Sequence, residues 1–338
     1  MVKVGIIGLG MMGRTHYEAY QNIADAQVVA VSDQDPKRAG GDLSGTAGNV
    51  LAGGITRLPM DRITGTTNYL DLLARSDVDV VDVCVPTTQH LEVATAALNA
   101  GKHVVCEKPL ARTVAEGEQI AAAARTARGM FMPAMVMRFW PQWTWLKGVV
   151  SAGTYGKVRS ATFRRITSLP KGWYRDGRVS GGAVLDLHVH DVDFVYHLFG
   201  TPSALFSRGY SQVSGEIDHV TTQFFYDDVP HVHAEGSWCM ADGFGFKMLY
   251  TVNFDNATAV YDLAREHPLL VTQGGKTEPV TCESGAGYEI ELRYFINCVK
   301  TGERPSVVTA DDAVMCLKLI DAERESVRSG QIVMFQPG

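Results

Sequence analysis

At 338 residues the chain exceeds what one hydrophobic core usually serves, so two domains are expected, burying together about 75% of the surface the unfolded chain exposes. Hydrophobic residues make up 46% and charged residues 20%, and the net charge is −6. That acidic balance offers no basic stripe to neutralise a phosphate backbone and argues against nucleic acid as a partner.

No apolar run approaches the ~20 residues of a membrane helix, and the first, Val4 to Leu9, is too short and glycine-rich for a secretory signal. A cytoplasmic protein with no membrane partner is expected. Six cysteines (Cys84, Cys106, Cys239, Cys282, Cys298, Cys316) lie scattered without a CxxC pair, which points to reduced, packed thiols and to no metal site.

Val2 to Ile7 reads as a buried strand, and Gly8, Gly10 and Gly13 lead from it into a helix reaching about Ile23, the strand, turn and helix order that a GxGxxG dinucleotide fingerprint requires. Gly8 suits the tight turn, Gly10 leaves room for a pyrophosphate, and Gly13 brings helix and strand close. Met11 and Met12 belong to the same cofactor-binding segment, with side chains read as local packing. A second strand, Gln27 to Ser32, ends at Asp33, twenty positions beyond Gly13, where a carboxylate accepts hydrogen bonds from an adenosine ribose. This favours NAD, while Lys37 and Arg38 offer charge to a 2′-phosphate and keep NADP open.

The stretch from Asp33 to Asn68 contains Gly40, Gly41, Gly45, Gly48, Gly53 and Gly54 and reads as an elaborated surface loop. Beyond it a helix at Asn68 to Ala74, a strand at Val78 to Val85 and a helix at Gln89 to Ala100, closed by Gly101, continue the alternation that predicts a parallel sheet. Pro86, Thr87, Thr88, Gln89 and His90 follow the strand; their polar groups either line a cofactor crevice or, for Thr87 and Thr88, cap the helix. His103 to Cys106 is the next strand. Glu107, Lys108 and Pro109 follow it, and a cation at the carboxyl end of a parallel strand sits where such sheets bind ligands. Thr113 and Glu116 form a capping box for a helix to Ala127, and Phe131 to Met137 supplies a last strand.

The pattern then changes. After a helix at Pro141 to Ser151, runs at Lys157 to Arg165, Ala204 to Val213, Val220 to Tyr226, His231 to Trp238 and Phe246 to Phe254 are rich in aromatic and β-branched residues and predict a largely antiparallel second sheet. Helices are expected at Val184 to Leu198, Tyr288 to Lys300 and Ala310 to Ser329. On the first of these, Asp186 and His190 stand four apart and share a face while His188 points elsewhere. A carboxylate beside an imidazole makes an acid and base unit; a surface ion pair, or metal chelation by the HxHD string, are the competing readings.

With these blocks in order, the chain resembles the glucose-fructose oxidoreductase and inositol dehydrogenase family, Gfo/Idh/MocA, on GIIGLGMMG (Gly5 to Gly13), Asp33, CVPTTQH (Cys84 to His90), CEKP (Cys106 to Pro109) and GGAVLDLHVHDVD (Gly181 to Asp193). The resemblance implies an α/β protein: an N-terminal Rossmann domain, residues 1–137, with a doubly wound parallel sheet, and a C-terminal substrate-binding and oligomerisation domain, residues 138–338, with a large, mainly antiparallel open sheet. It implies a homodimer or homotetramer. It also places Lys108 near the nicotinamide and the reacting hydroxyl, Asp186 on the substrate and His190 as acid or base, with Pro86, Thr87, His90 and Glu107 beside the cofactor. Two departures stand out: the long loop after Asp33, and His188 at a position where a small residue is frequent.

The expected activity is NAD-dependent hydride transfer at a secondary hydroxyl of a sugar, inositol or related polyol. Asp186 would orient His190, and Lys108 would stabilise negative charge on oxygen or act itself as the base. Trp173, Tyr174 and Arg175 are candidates to flank the substrate, because aromatic faces and guanidinium donors suit hydroxylated rings. A redox-neutral, NAD-dependent glycosidase and a non-catalytic nucleotide-dependent sugar sensor are the alternatives.

Overall fold

The computed structural model of the protein describes residues 1–46 and 54–335. They form two compact units, Met1–Phe139 with Gly285–Met315 and Trp140–Ser284 with Cys316–Gly338.

In the first unit, strands β1 (Val2–Ile7), β2 (Ala26–Ser32), β3 (Thr64–Thr66), β4 (Val80–Val83), β5 (His103–Glu107) and β6 (Phe131–Ala134) make a six-stranded sheet in the order β3-β2-β1-β4-β5-β6. Every pairing is parallel. Helices α1 (Met11–Tyr20), α2 (Pro36–Ala39), α3 (Tyr69–Leu73), α4 (His90–Asn99) and α5 (Val114–Thr126) connect the strands. Val80 to Val83 and Phe131 to Ala134 are buried throughout, as strands covered on both faces must be. The strand order reverses between β1 and β4, which opens a crevice at their carboxyl ends.

The described parts of the segment read as a surface loop after Asp33 are more ordered than their glycines suggested. They hold α2, an edge strand β3, and buried Leu43, Leu58 and Ile63. Thr64, Gly65 and Thr66 carry no apolar side chain, so β3 is defined by its ladder to β2 and leaves no periodic signal. Gly48 and Gly53 lie outside the described residues. Thr113 and Glu116 do form the expected reciprocal capping box on α5.

The second unit contains α6 (Pro141–Ala152), β7 (Val158–Ser168), α7 (Gly177–Ser180), α8 (Gly182–Asp186), α9 (Val189–Phe199), β8 (Ala204–Tyr210), β9 (His219–Phe225), β10 (His231–Met240), β11 (Lys247–Phe254), β12 (Thr258–Asp262), β13 (Leu269–Gln273), β14 (Lys276–Pro279) and β15 (Val333–Met334). Its nine strands run in the order β14-β13-β12-β11-β7-β10-β9-β8-β15. Only β7 and β10 pair in parallel. The last three of the β11–β14 meander and β15 extend the sheet beyond the runs expected from sequence.

Alternate residues of β9 and β12 are buried, so one face of this sheet carries the core. Trp143 on α6 packs edge-on against Phe194 of α9 and Tyr250 of β11, with ring centroids 4.7 Å and 5.4 Å away. The guanidinium of Arg165, on β7, lies 5.6 Å from the centre of the Trp143 ring and grips Asp191 of α9 through two nitrogens, at 2.8 Å and 3.2 Å.

Helix α10 (Gly287–Thr301) belongs to the first unit, where it packs on α1, so that unit is discontinuous in sequence. Leu292, Phe295 and Ile296 form its buried stripe, at the three- and four-residue spacing of a helix face. Helix α11 (Ala310–Ser329) begins in the first unit and ends in the second.

Candidate functional site

The turn after β1 is shaped by what its glycines lack. Gly8 has φ +94°, and a Cβ there would stand 2.6 Å from the carbonyl oxygen of Cys84. At Gly13 a Cβ would stand 1.9 Å from the carbonyl oxygen of Gly8, so α1 can approach β1 only with glycine at that position. Gly10 differs: a Cβ there would meet no described protein atom within 4 Å. Its hydrogen side chain serves no packing need of the protein and leaves space for a ligand. Gly10 is also the N-cap of α1 and supplies no side-chain cap, so the helix presents first-turn amides to an anion. Met11 and Met12 open that helix half-buried.

These residues fit the pyrophosphate of a dinucleotide. Gly10→Val is accordingly expected to keep the melting temperature of the parent while weakening NAD binding at least ~10-fold, through loss of pyrophosphate approach. Gly13→Ala should instead lower the melting temperature. Thermal melts paired with NAD titrations distinguish the two.

Asp33, at the end of β2, is buried and committed to the turn. Its Oδ2 accepts the N–H of Leu9 at 2.7 Å, and its Oδ1 accepts from the N–H of Asp35 and Nη2 of Arg38, both at 2.8 Å. Arg38, offered by the sequence to a 2′-phosphate, thus pairs with Asp33.

The neighbouring crossovers complete the sheet edge. Pro86 and Thr87 follow β4, and Thr87 opens a single 3₁₀ turn. Neither that turn nor α4 has a side-chain cap, which removes the capping role considered for Thr87 and Thr88. His90 is buried at the start of α4, with Nδ1 2.9 Å from the carbonyl oxygen of Pro109 and Nε2 2.9 Å from that of Val85. Burial pushes its pKa down. Its ring braces the turn after β5. Glu107 ends β5 buried, and its Oε2 accepts the N–H of Lys108 at 3.0 Å. Lys108 is half-buried, and its peptide bond to Pro109 is cis.

In the second unit, the single helix expected over Asp186 and His190 is broken. Asp186 ends α8, Leu187 and His188 form a turn, and His190 lies in the first turn of α9. Asp186 and His190 are each partly exposed, while His188 is fully buried. His188 Nε2 lies 3.1 Å from Oε1 of Glu323, which also accepts from the hydroxyl of Thr222 at 2.6 Å. A Cβ on Gly236 of β10 would stand 2.6 Å from that of His188, so the strand yields space to the histidine. With His188 held by Glu323 and Asp191 by Arg165, the HxHD string offers no chelating set. Trp173 and Tyr174 stack at 4.1 Å on an exposed turn that includes Arg175.

Burial works against charge on His188, but attraction to and hydrogen bonding with Glu323 outweigh it and raise its pKa. A raised folded-state pKa contributes stability that is complete below the unfolded value of ~6.5 and lost as pH rises through the folded value. The melting-temperature gap between the parent and His188→Gln should therefore narrow from pH 6 to pH 9. A gap that widens contradicts the pairing.

Sequence reasoning missed a buried group behind the crevice. His16, Asp82, Cys84 and Glu107 converge where α1 crosses β4 and β5. The signal was Asp82 itself, a carboxylate inside the apolar run Val80 to Val83, which needs a partner in the fold.

Among the described residues no helix is long and apolar enough to cross a membrane. Residues 2–135 match the oxidoreductase family with an NAD-binding Rossmann fold, and residues 143–260 match the GFO/IDH/MocA C-terminal domain. Myo-inositol 2-dehydrogenase of Thermotoga maritima is 27% identical over 358 residues, covering 99% of both chains. Inositol 2-dehydrogenase of Acidothermus cellulolyticus is 28% identical over 348 residues, covering all of this chain and 96% of its own. A levoglucosan dehydrogenase solved with NADH and levoglucosan shares the fold at a TM-score of 0.85 and 22% identity, over 99% of this chain and 100% of its own. The two family matches together span most of the sequence, and the chain belongs to the GFO/IDH/MocA oxidoreductases, with the NAD-binding domain of that family as its first unit.

Proposed function

We propose that the protein is an NAD-dependent dehydrogenase that oxidises a secondary hydroxyl of a sugar, inositol or related polyol, or reduces the corresponding ketone. The observation that carries this reading is the position of Lys108: it is the first residue beyond β5, in the same unit and at the same sheet edge as the glycine turn after β1. The named activities of the two inositol dehydrogenases support the substrate class.

NAD, held at the turn of Gly8, Gly10 and Gly13, would supply the acceptor for the hydride leaving the carbinol carbon. Lys108 donates to the reacting oxygen and stabilises its developing charge, and His190 accepts the hydroxyl proton, with Asp186 orienting the substrate. Pro86, Thr87 and Glu107 line the cofactor side of the crevice. Trp173, Tyr174 and Arg175 offer stacked rings and a guanidinium to a hydroxylated ring. A cytoplasmic homo-oligomer built on the open face of the nine-stranded sheet completes the proposal.

NAD reduction across inositols, aldoses, sugar acids and glycosides, with product analysis, tests it. NADH formed in proportion to an oxidised polyol is expected. Net hydrolysis of a glycoside without NADH would replace this reading with redox-neutral glycosidase chemistry, and binding without turnover across the panel would replace it with a sensor.

A further inference from the structure

The buried group behind the crevice joins the cofactor turn to the strand end that carries Lys108. His16 stands on the helix whose first turn faces the open space at Gly10, and it has no exposed surface. Its Nδ1 lies 2.9 Å from Oδ2 of Asp82 on β4. Its Nε2 lies 3.0 Å from Oε1 of Glu107, the last residue of β5, as an ion pair off the ideal hydrogen-bond direction. The other oxygen of Glu107 accepts the main-chain N–H of Lys108 at 3.0 Å. A line of close contacts thus runs from Asp82 through His16 and Glu107 to the residue proposed to act on the reacting oxygen, hydrogen-bonded at its two ends and at ion-pair distance between His16 and Glu107.

Asp82 and Glu107 are both buried, and a carboxyl group taken out of water needs a hydrogen-bonding or cationic partner. His16 is the group that lies between them. Burial disfavours its charge, and the neighbouring Asp82 more than restores it, so its pKa stands well above that of free histidine. The polar groups facing this knot include the Cys84 thiol, 3.4 Å from Oδ1 of Asp82, the Cys106 thiol, the Tyr20 hydroxyl on α1, and Tyr288 and Glu291 on α10.

His16, Asp82 and Cys84 also bring three possible metal ligands within 4.8 Å of one another. The knot is better described as an ion-pair chain. Both imidazole nitrogens already face carboxylate oxygens, and burial pushes the Cys84 thiol up, away from the thiolate that binds metals.

We propose that His16 is a positioning residue for hydride transfer: by clamping Glu107 against Asp82 it sets the direction in which Lys108 leaves β5, in register with the glycine turn at the head of its own helix. The inference rests on the reading of Lys108 as the group acting on the reacting oxygen. Without the clamp, Glu107 is free to turn, and the backbone it holds at Lys108 turns with it. Displacement of a reacting group by about 1 Å is enough to lower turnover 100-fold.

The test is a double-mutant cycle of His16→Gln and Lys108→Ala, with turnover read on the polyol that reduces NAD fastest. His16→Gln is expected to lower kcat about 10- to 100-fold with KM and NAD affinity within about twofold of the parent, a split that mere loosening of α1 would not produce. In the Lys108→Ala background the same substitution should cost less than about twofold, since its effect passes through the lysine. Equal losses in both backgrounds, or undiminished kcat in His16→Gln, overturn the inference. Near-normal turnover by Lys108→Ala alone overturns the underlying reading instead. Should His16→Gln not fold with two carboxylates stranded, Glu107→Gln takes its place: it keeps an acceptor for the N–H of Lys108 but removes the charge that His16 holds, and the same non-additivity is required of it.

Discussion

Lys108→Ala is expected to lower turnover at least ~100-fold, the lower end for a positioned acid, base or charge-stabilising group, while melting temperature and NAD affinity stay near those of the parent. The expectation follows from how the residue is built into the sheet edge. Its main chain is fixed by Glu107, and the turn at Gly8, Gly10 and Gly13, together with Asp33, is held by bonds in which the lysine side chain takes no part. Truncation therefore removes an ammonium group and leaves the cofactor cradle standing. Lys108→Arg should restore little, because a planar guanidinium presents its charge farther out and in a different geometry. Steady-state turnover at saturating NAD, beside a direct NAD titration, checks both. Turnover within a few-fold of the parent for Lys108→Ala would remove the lysine from the chemistry.

The second large effect is on stability. Asp191→Ala should destabilise the second unit by about 3–5 kcal/mol, the usual result of stripping one partner from a buried ion pair. Arg165 and Asp191 are both buried, and the carboxylate meets the guanidinium through two nitrogens. Removing it leaves a cation inside a core of Trp143, Phe163 and Phe194, with no water to solvate it. The replacement of both members by apolar residues, Arg165→Met with Asp191→Leu, should recover much of the loss, since desolvation then disappears along with the attraction. Denaturant midpoints of the two variants decide it: a single variant losing less than about 1 kcal/mol would mean that the site is hydrated or that Arg165 finds another anion. Asp191 directly follows His190, so the pair also anchors the helix turn on which His190 sits.

Chemistry legible in the sequence was chemistry written at short range. The turn of Gly8, Gly10 and Gly13 between a strand and a helix, the spacing to Asp33, and the position of Lys108 after an apolar run depend on few residues and on backbone geometry that glycine and strand termini express locally. The break between α8 and α9 was not legible, because Asp186 to His190 contains neither glycine nor proline and the periodicity continues across it. Nor was the role of His188: its neighbours in sequence suggested a site, whereas Glu323, contributed from 135 residues away, makes it a core residue.

By itself the sequence determined the two classes of sheet, the dinucleotide turn and the family, since hydrophobic period and turn chemistry are properties of contiguous residues. The tertiary structure alone decided where α10 belongs, that Thr64 to Thr66 is an edge strand, that Arg38 is engaged by Asp33, and that His16 lies against Glu107. Each of these depends on pairing between residues distant along the chain, and burial of charge becomes affordable only after the fold has brought its partner to it.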